Sequence, residues 1–313
     1  MRKGIKPVLF LTLLFFFALG TFLYACQGEG RYKDINIQKV IGQVELPPLP
    51  GGDQPNLEQV YQKTGADRMP RRTLQLAPLP DKINTDLPDF TKYNNVKKKK
   101  TAFFNFLRPI VRRENREVLR QRAYVLIQWQ QCKRGEQVSA DAVKHLHELA
   151  GTYRVDTSYS DGAAFFRDLL IHIDKIPVSL ALIQAAKESA WGTSFFARKG
   201  NNLFGQWCFK KDCGIVPRRR PEGSNYEVRA FEDVSDSVGA YIRNLNSHPA
   251  YKELRLERYR MRLAGREPDP HLMAGGLESY SEIGMQYVQT VRQMIRGNEK
   301  FMGIHELTAG SDA

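Results

Sequence analysis

The sequence predicts a mainly α body with a small β-hairpin lobe, set behind a disordered tether and an N-terminal hydrophobic helix. Three observations carry that prediction. Residues 1–26 join a basic start to a long apolar run, residues 27–96 are proline-rich and aperiodic, and helical periodicity runs from residue 97 onward with one break between Gln206 and Phe231.

The first element carries Arg2, Lys3 and Lys6 ahead of an apolar stretch from Val8 to Ala25, interrupted only by Thr12, Thr21 and Tyr24. A run of this kind is an export signal or a membrane anchor, which places the rest of the chain on the periplasmic side of a membrane, in the cell envelope. Residues 27–96 hold half of the 16 prolines and no sustained period, so they read as a disordered linker. Residues 97–155 form a helical accessory segment. Within it Thr101 to Cys132 carries a partial apolar stripe of Phe103, Leu107, Val111, Val118, Val125 and Trp129, with Pro109 suited to a first helical turn. Ser139 caps a second helix that stops at Gly151. Residues 156–300 form the main domain: FFRDLLIHIDKI is helical, and Pro177 opens the helix that contains Glu188. Between Gln206 and Phe231, Gly214, Pro217, Pro221 and Gly223 punctuate short runs, and NYEVRAF alternates like a strand. Helix returns from Asp233 to Asn246, with Ser235 or Asp236 as cap, and again through TVRQMIRGN, before a flexible tail at residues 301–313 that frays at Gly310 to Ala313.

The chain has a formal net charge of +13, with basic residues gathered between Lys97 and Arg134. Such a surface seeks a polyanion. Export and the lack of a nucleic-acid module argue against nucleic acid and leave anionic lipid headgroups or a carboxylate-bearing cell wall; a solvated basic helix face explains the same charge. Leu23-Tyr24-Ala25-Cys26 resembles a lipobox, in which Cys26 is acylated; the alternative is an uncleaved anchor. Cys208 and Cys213, in CFKKDC, close a short loop that an exporting compartment oxidises to a disulfide. Cys132 is left over. No metal site is expected, because zinc needs ligands beyond this pair and no CxxC or HxxxH accompanies it; His145 and His147, two apart on a helix, read as surface residues.

In IPVSLALIQAAKES, Leu180, Gln184 and Glu188 fall four apart, so the carboxylate shares an apolar helix face and sits at the helix C-terminal end. Poor hydration and the negative end of the helix dipole both favour a carboxyl that keeps its proton, as a general acid requires. A salt bridge to Lys187 or Arg198 is the competing reading.

ESAWGTSFFARKGNNLFGQW, followed by FEDVSDSVGAYIRNLNSHPAYKEL, resembles the signature of the glucosaminidase domain, glycoside hydrolase family 73. The order of motifs agrees from about Lys97 to Gly297. The resemblance implies a lysozyme-like α+β fold, Glu188 as general acid, and Asn201, Asn202, Leu203, Phe204 and Gly205 as the floor of a sugar cleft. Tyr280 and Tyr287 match the two tyrosines of the family's GYATDPxY motif, of which the glycine and the ATDP portion are missing here. Family members often carry a second carboxylate on the β-lobe, where this chain offers Glu222 and Glu227. Glu222 follows RRRP, whose charge keeps it ionised. Trp191 and Trp207, with Phe204 and Tyr226, suit stacking on sugar faces, although Trp191, directly after the helix, equally suits a core plug. The activity implied is cleavage of the β-1,4 bond after N-acetylglucosamine in peptidoglycan glycan strands, without cofactor. A non-catalytic wall-binding scaffold and an amidase are the alternatives.

Overall fold

A computed structural model describes residues 35–50, 76 and 78–304. The expected N-terminal segment, acylation at Cys26 and the frayed end at Gly310 to Ala313 lie outside the described residues. No described helix is long and apolar enough to cross a membrane.

The longest helix follows from a single cap and a long buried stripe. Asn95 accepts from the Lys98 amide, and α2 then runs Val96–Lys133, preceded by a short α1 at Ile37–Gln43. Pro109 therefore lies inside a helix and not in its first turn. An interior proline costs about 3 kcal/mol; burial of Phe103, Phe104, Leu107, Ile110 and Val111 on both sides of it outweighs that. Ser139 caps α3, Ala140–Tyr153, which passes Gly151 and ends where Arg154 turns left-handed at φ 58°. On α3, His145 is half-buried against Tyr124, while His147 is exposed as expected. Then come α4, Gly162–His172, α5, Val178–Glu188, and α6, Phe195–Gly200.

The expected β-lobe is a small three-stranded antiparallel sheet. Strands β1, Trp207–Cys208, and β2, Gly214–Ile215, flank β3, Glu227–Arg229, with Trp207 opposite Val228 and Gly214 opposite Arg229. α7 spans Val234–Ser247 and is capped by Asp233 instead of Ser235 or Asp236. Ser235 bonds Arg113 and Glu114 of α2 instead.

Several elements went unforeseen, among them α1, α8 at Lys252–Leu263, α9 at Pro270–Met273 and a 3₁₀ stretch at Ala274–Tyr280. α10, Met285–Met302, closes the body. It takes in Phe301 and Met302, the first residues of the expected tail; Met302 is buried and its carbonyl accepts from Arg108 at 2.7 Å.

One hydrophobic core joins α2, α3, α4, α5, α7, α8 and α10, so α2 is a central helix and not an accessory. The described part of residues 27–96 is likewise not free. Ile37 and Phe90 are buried, Trp129 Nε1 donates to the Glu45 carbonyl at 3.0 Å, and Tyr259 donates to the Pro47 carbonyl. Pro-rich sequence carries few backbone donors, yet its carbonyls serve the body's side chains as acceptors.

Beneath this core lies a buried ionic cluster. Asp174 is 1% exposed and pairs with Arg262 at 2.8 Å and Arg122 at 3.7 Å. Arg258, also 1% exposed, donates to the carbonyls of Ile171, His172, Asp174 and Lys175 and to Asn246. Those carbonyls lie at and just beyond the end of α4, where no helical donor remains. Against the raising effect of burial, the guanidiniums of Arg122 and Arg262 hold the Asp174 carboxyl far below the usual aspartate range.

Candidate active site

Apolar spacing drives α5 into the core. Leu180, Leu182, Ile183, Ala185 and Ala186 are fully buried, and Glu188, the last residue of the helix, is half-buried. No ion pair to Glu188 forms among the described residues. The expected competitor Lys187 instead lies over the Tyr287 ring, 5.0 Å from its centre.

A chain of hydrogen bonds ends on the carboxylate. Tyr287 donates to Glu188 Oε1 at 2.8 Å, Gln184 Nε2 donates to the Tyr287 hydroxyl at 3.1 Å, and Tyr241 donates to Gln184 Oε1 at 2.6 Å. The chain has one direction. With its lone pair engaged by Gln184, the Tyr287 hydroxyl points its proton at Glu188, and Tyr241 fixes which end of the Gln184 amide faces Tyr287. Burial first, and then the Glu188 charge, push the Tyr287 hydroxyl well above its usual range, so it remains a donor. Gln184 and Tyr241 were not singled out from sequence. The one available signal was a glutamine four residues before Glu188 in an otherwise apolar helix, fully buried in the fold.

Tyr280 is stacked on Tyr287, centroids 5.4 Å apart, and donates to the Phe204 carbonyl at 3.1 Å. The two tyrosines therefore do meet Glu188 and the NNLFG turn, although the residues between them depart from the family motif. Burial raises the Tyr280 hydroxyl as well, followed by the neighbouring Tyr287 and Tyr241 and the Glu188 charge.

The asparagines of NNLFG are builders of the turn. Asn201 is left-handed at φ 51° and donates to the carbonyls of Phe231 and Glu232. Asn202 is buried; its amide donates to the Gln206 and Arg229 carbonyls, and its Oδ1 accepts from the Phe204 and Gln206 amides. Phe204 is buried in a parallel stack on Tyr241, centroids 3.9 Å apart. As side chains, Asn201, Asn202 and Phe204 thus hold the turn, because backbone carbonyls and amides and a core ring already occupy them. Gly205, left-handed at φ 68°, is exposed.

Trp191 packs edge-on against Phe103 and Phe104, with Lys100 5.0 Å above its ring, which is the core-plug arrangement. Trp207 is different. It is 57% exposed and lies flat on Tyr226, 4.6 Å away, so its open face suits stacking.

On the lobe, Cys208 and Cys213 form the expected disulfide. Glu227 is buried and accepts from the Asp212 and Gly214 amides, bracing that loop. Its approach to both cysteines does not make a metal site, since both sulfurs are spent on each other. Glu222 is exposed in a turn and holds no partner among the described residues.

Residues 163–300 match the Glucosaminidase family, described as mannosyl-glycoprotein endo-beta-N-acetylglucosaminidase. Over 222 residues the chain is 32% identical to Protein bax of Escherichia coli (strain K12), which covers 71% of this chain and 78% of that protein. No solved structure matches it.

Proposed function

The chain belongs to the family of glucosaminidase-domain proteins that includes Escherichia coli Protein bax, and on that premise we propose that it is a glycoside hydrolase of the bacterial cell envelope. Its substrate is peptidoglycan, and the bond cut is the β-1,4 link after N-acetylglucosamine. One observation carries the reading: a half-buried carboxyl at a helix end, without a counter-cation among the described residues, held by a directed chain of hydrogen bonds.

In this mechanism Tyr287 occupies Oε1 of Glu188, which leaves Oε2 to carry the acid proton. That proton passes to the glycosidic oxygen as the bond to the anomeric carbon breaks, and water completes hydrolysis with retention or inversion set by the second group. Glu227 already serves two amides, so Glu222 is the lobe carboxylate available as base. Tyr280 stacks on Tyr287 and ties it to the Phe204 carbonyl, and Trp207 offers the stacking face.

Intact sacculi incubated with the purified protein are expected to yield new reducing ends. Freed amino termini would mean an amidase, and binding without release would mean a scaffold. Tyr287→Phe keeps the ring under Lys187 and deletes the hydroxyl. A bond to a charged group is worth about 1.5–3 kcal/mol, so kcat should fall about ten- to a hundredfold with KM little changed. A Phe variant as fast as wild type would remove Tyr287 from the mechanism. Glu222→Gln is expected to lower the rate about a hundredfold; an unchanged rate would mean that the substrate's own N-acetyl oxygen attacks the anomeric carbon as the glycosidic bond breaks, with no lobe carboxylate needed.

A further inference from the structure

A left-handed turn follows the proposed acid directly. Ala190, Trp191 and Gly192 take φ of 51°, 61° and 75°, a region that residues bearing a Cβ rarely enter and almost never in succession. Such backbone persists only where its surroundings over-determine it.

Part of the restraint is internal. The Trp191 amide donates to the Ala186 carbonyl at 2.8 Å, the Ser194 amide to the Ser189 carbonyl at 2.9 Å, and the Gly192 amide to Ser189 Oγ at 2.7 Å. The rest comes from far upstream. Phe90 is 1% exposed and lies directly under Gly192, where a Cβ would meet its ring at 2.7 Å. The same ring packs edge-on against Phe103, at 5.3 Å, and Phe103 in turn meets Trp191 at 5.7 Å. Phe90 is itself set by a short 3₁₀ turn, Phe90–Lys92, whose cap Asp89 accepts from the Thr91 amide and hydroxyl. A few residues earlier, the Thr85 carbonyl accepts from the Val234 amide at the start of α7, the helix that carries Tyr241. Residues 85–92 therefore brace both ends of the hydrogen-bond chain: the turn after Glu188 and the helix of Tyr241.

We propose that Phe90 is a positioning residue for Glu188. By filling the space beneath Gly192 it holds the left-handed turn, and the turn decides where the last residue of α5 projects. The proposal rests on the reading of Glu188 as the general acid. It makes the proline-rich segment part of the machinery and not merely a spacer.

The test uses the full chain with Phe90→Ala and Phe90→Leu, a soluble glycan oligomer as substrate, and amide hydrogen exchange. In Phe90→Ala, kcat should fall about a hundredfold, as expected for loss of catalytic orientation, while KM stays within about twofold. The Trp191 and Ser194 amides should lose protection while those of α10 keep theirs. Phe90→Leu, which refills most of the space, should recover most of both. Equal kcat in Phe90→Ala, or unchanged exchange at Trp191 and Ser194, would overturn the proposal. If Phe90→Ala fails to fold, Phe90→Leu and Phe90→Met decide by the same two amides. Wild-type protein that releases no reducing ends sinks the acid reading instead, and the exchange data then report on the turn alone.

Discussion

Glu188→Gln is expected to abolish glycan cleavage and leave sacculus binding intact. The substitution preserves shape, and its amide oxygen still accepts from Tyr287, so the chain through Gln184 and Tyr241 survives. What disappears is a proton that can be given away. General acid catalysis is worth about a hundred- to ten-thousandfold, so the release of reducing ends should drop by about a thousandfold or more. Thermal unfolding should shift little, because the carboxylate forms no ion pair among the described residues whose loss would strand a buried cation. Activity equal to wild type would move the chemistry to another group.

Asp174→Asn should have the largest effect on stability. The aspartate is buried between Arg122 and Arg262, both almost wholly enclosed, and removing its charge leaves two guanidiniums with too little compensation. Breaking a buried pair from one side costs about 3–5 kcal/mol. Glu267 still pairs with Arg262, which favours the lower end, about 3 kcal/mol and a Tm lowered by about 10 °C. The pH dependence has a definite sign. The folded pKa of Asp174 lies below its unfolded value, so the stabilisation is present above about pH 4 and fades as pH falls further. The gap between wild type and variant should therefore be widest near neutral pH and narrow in acid, as read by urea unfolding at several pH values. A constant gap would mean that Asp174 contributes only hydrogen bonds.

Several residues whose role depends on local pattern were read correctly, although Pro109 and the cap of α7 were not. The period of IPVSLALIQAAKES put Glu188 at the end of a buried helix, Ser139 capped α3, and the spacing of Cys208 and Cys213 foretold the disulfide. Residues whose role depends on distant partners were misread or passed over. Seven of the twelve residues of α8, a helix passed over in the sequence, are charged, yet Arg255 and Arg258 are buried. No periodicity distinguishes an arginine facing water from one facing the bare carbonyls of another helix. The family resemblance implies Asn202 and Phe204 as cleft floor, and the fold turns both inward to hold the turn itself.

By itself the chain's sequence decided that α2, α3, α4, α5, α7 and α10 are helical, where the carboxyl at the end of α5 falls, and which cysteines pair, since near neighbours along the backbone settle such matters. Only the tertiary structure decided that Glu227 braces a loop, that Gln184 and Tyr241 direct a proton toward Glu188, and that Phe90 lies beneath Gly192. A polar or aromatic side chain takes its function from the groups that burial brings to it, and those groups stand many residues away.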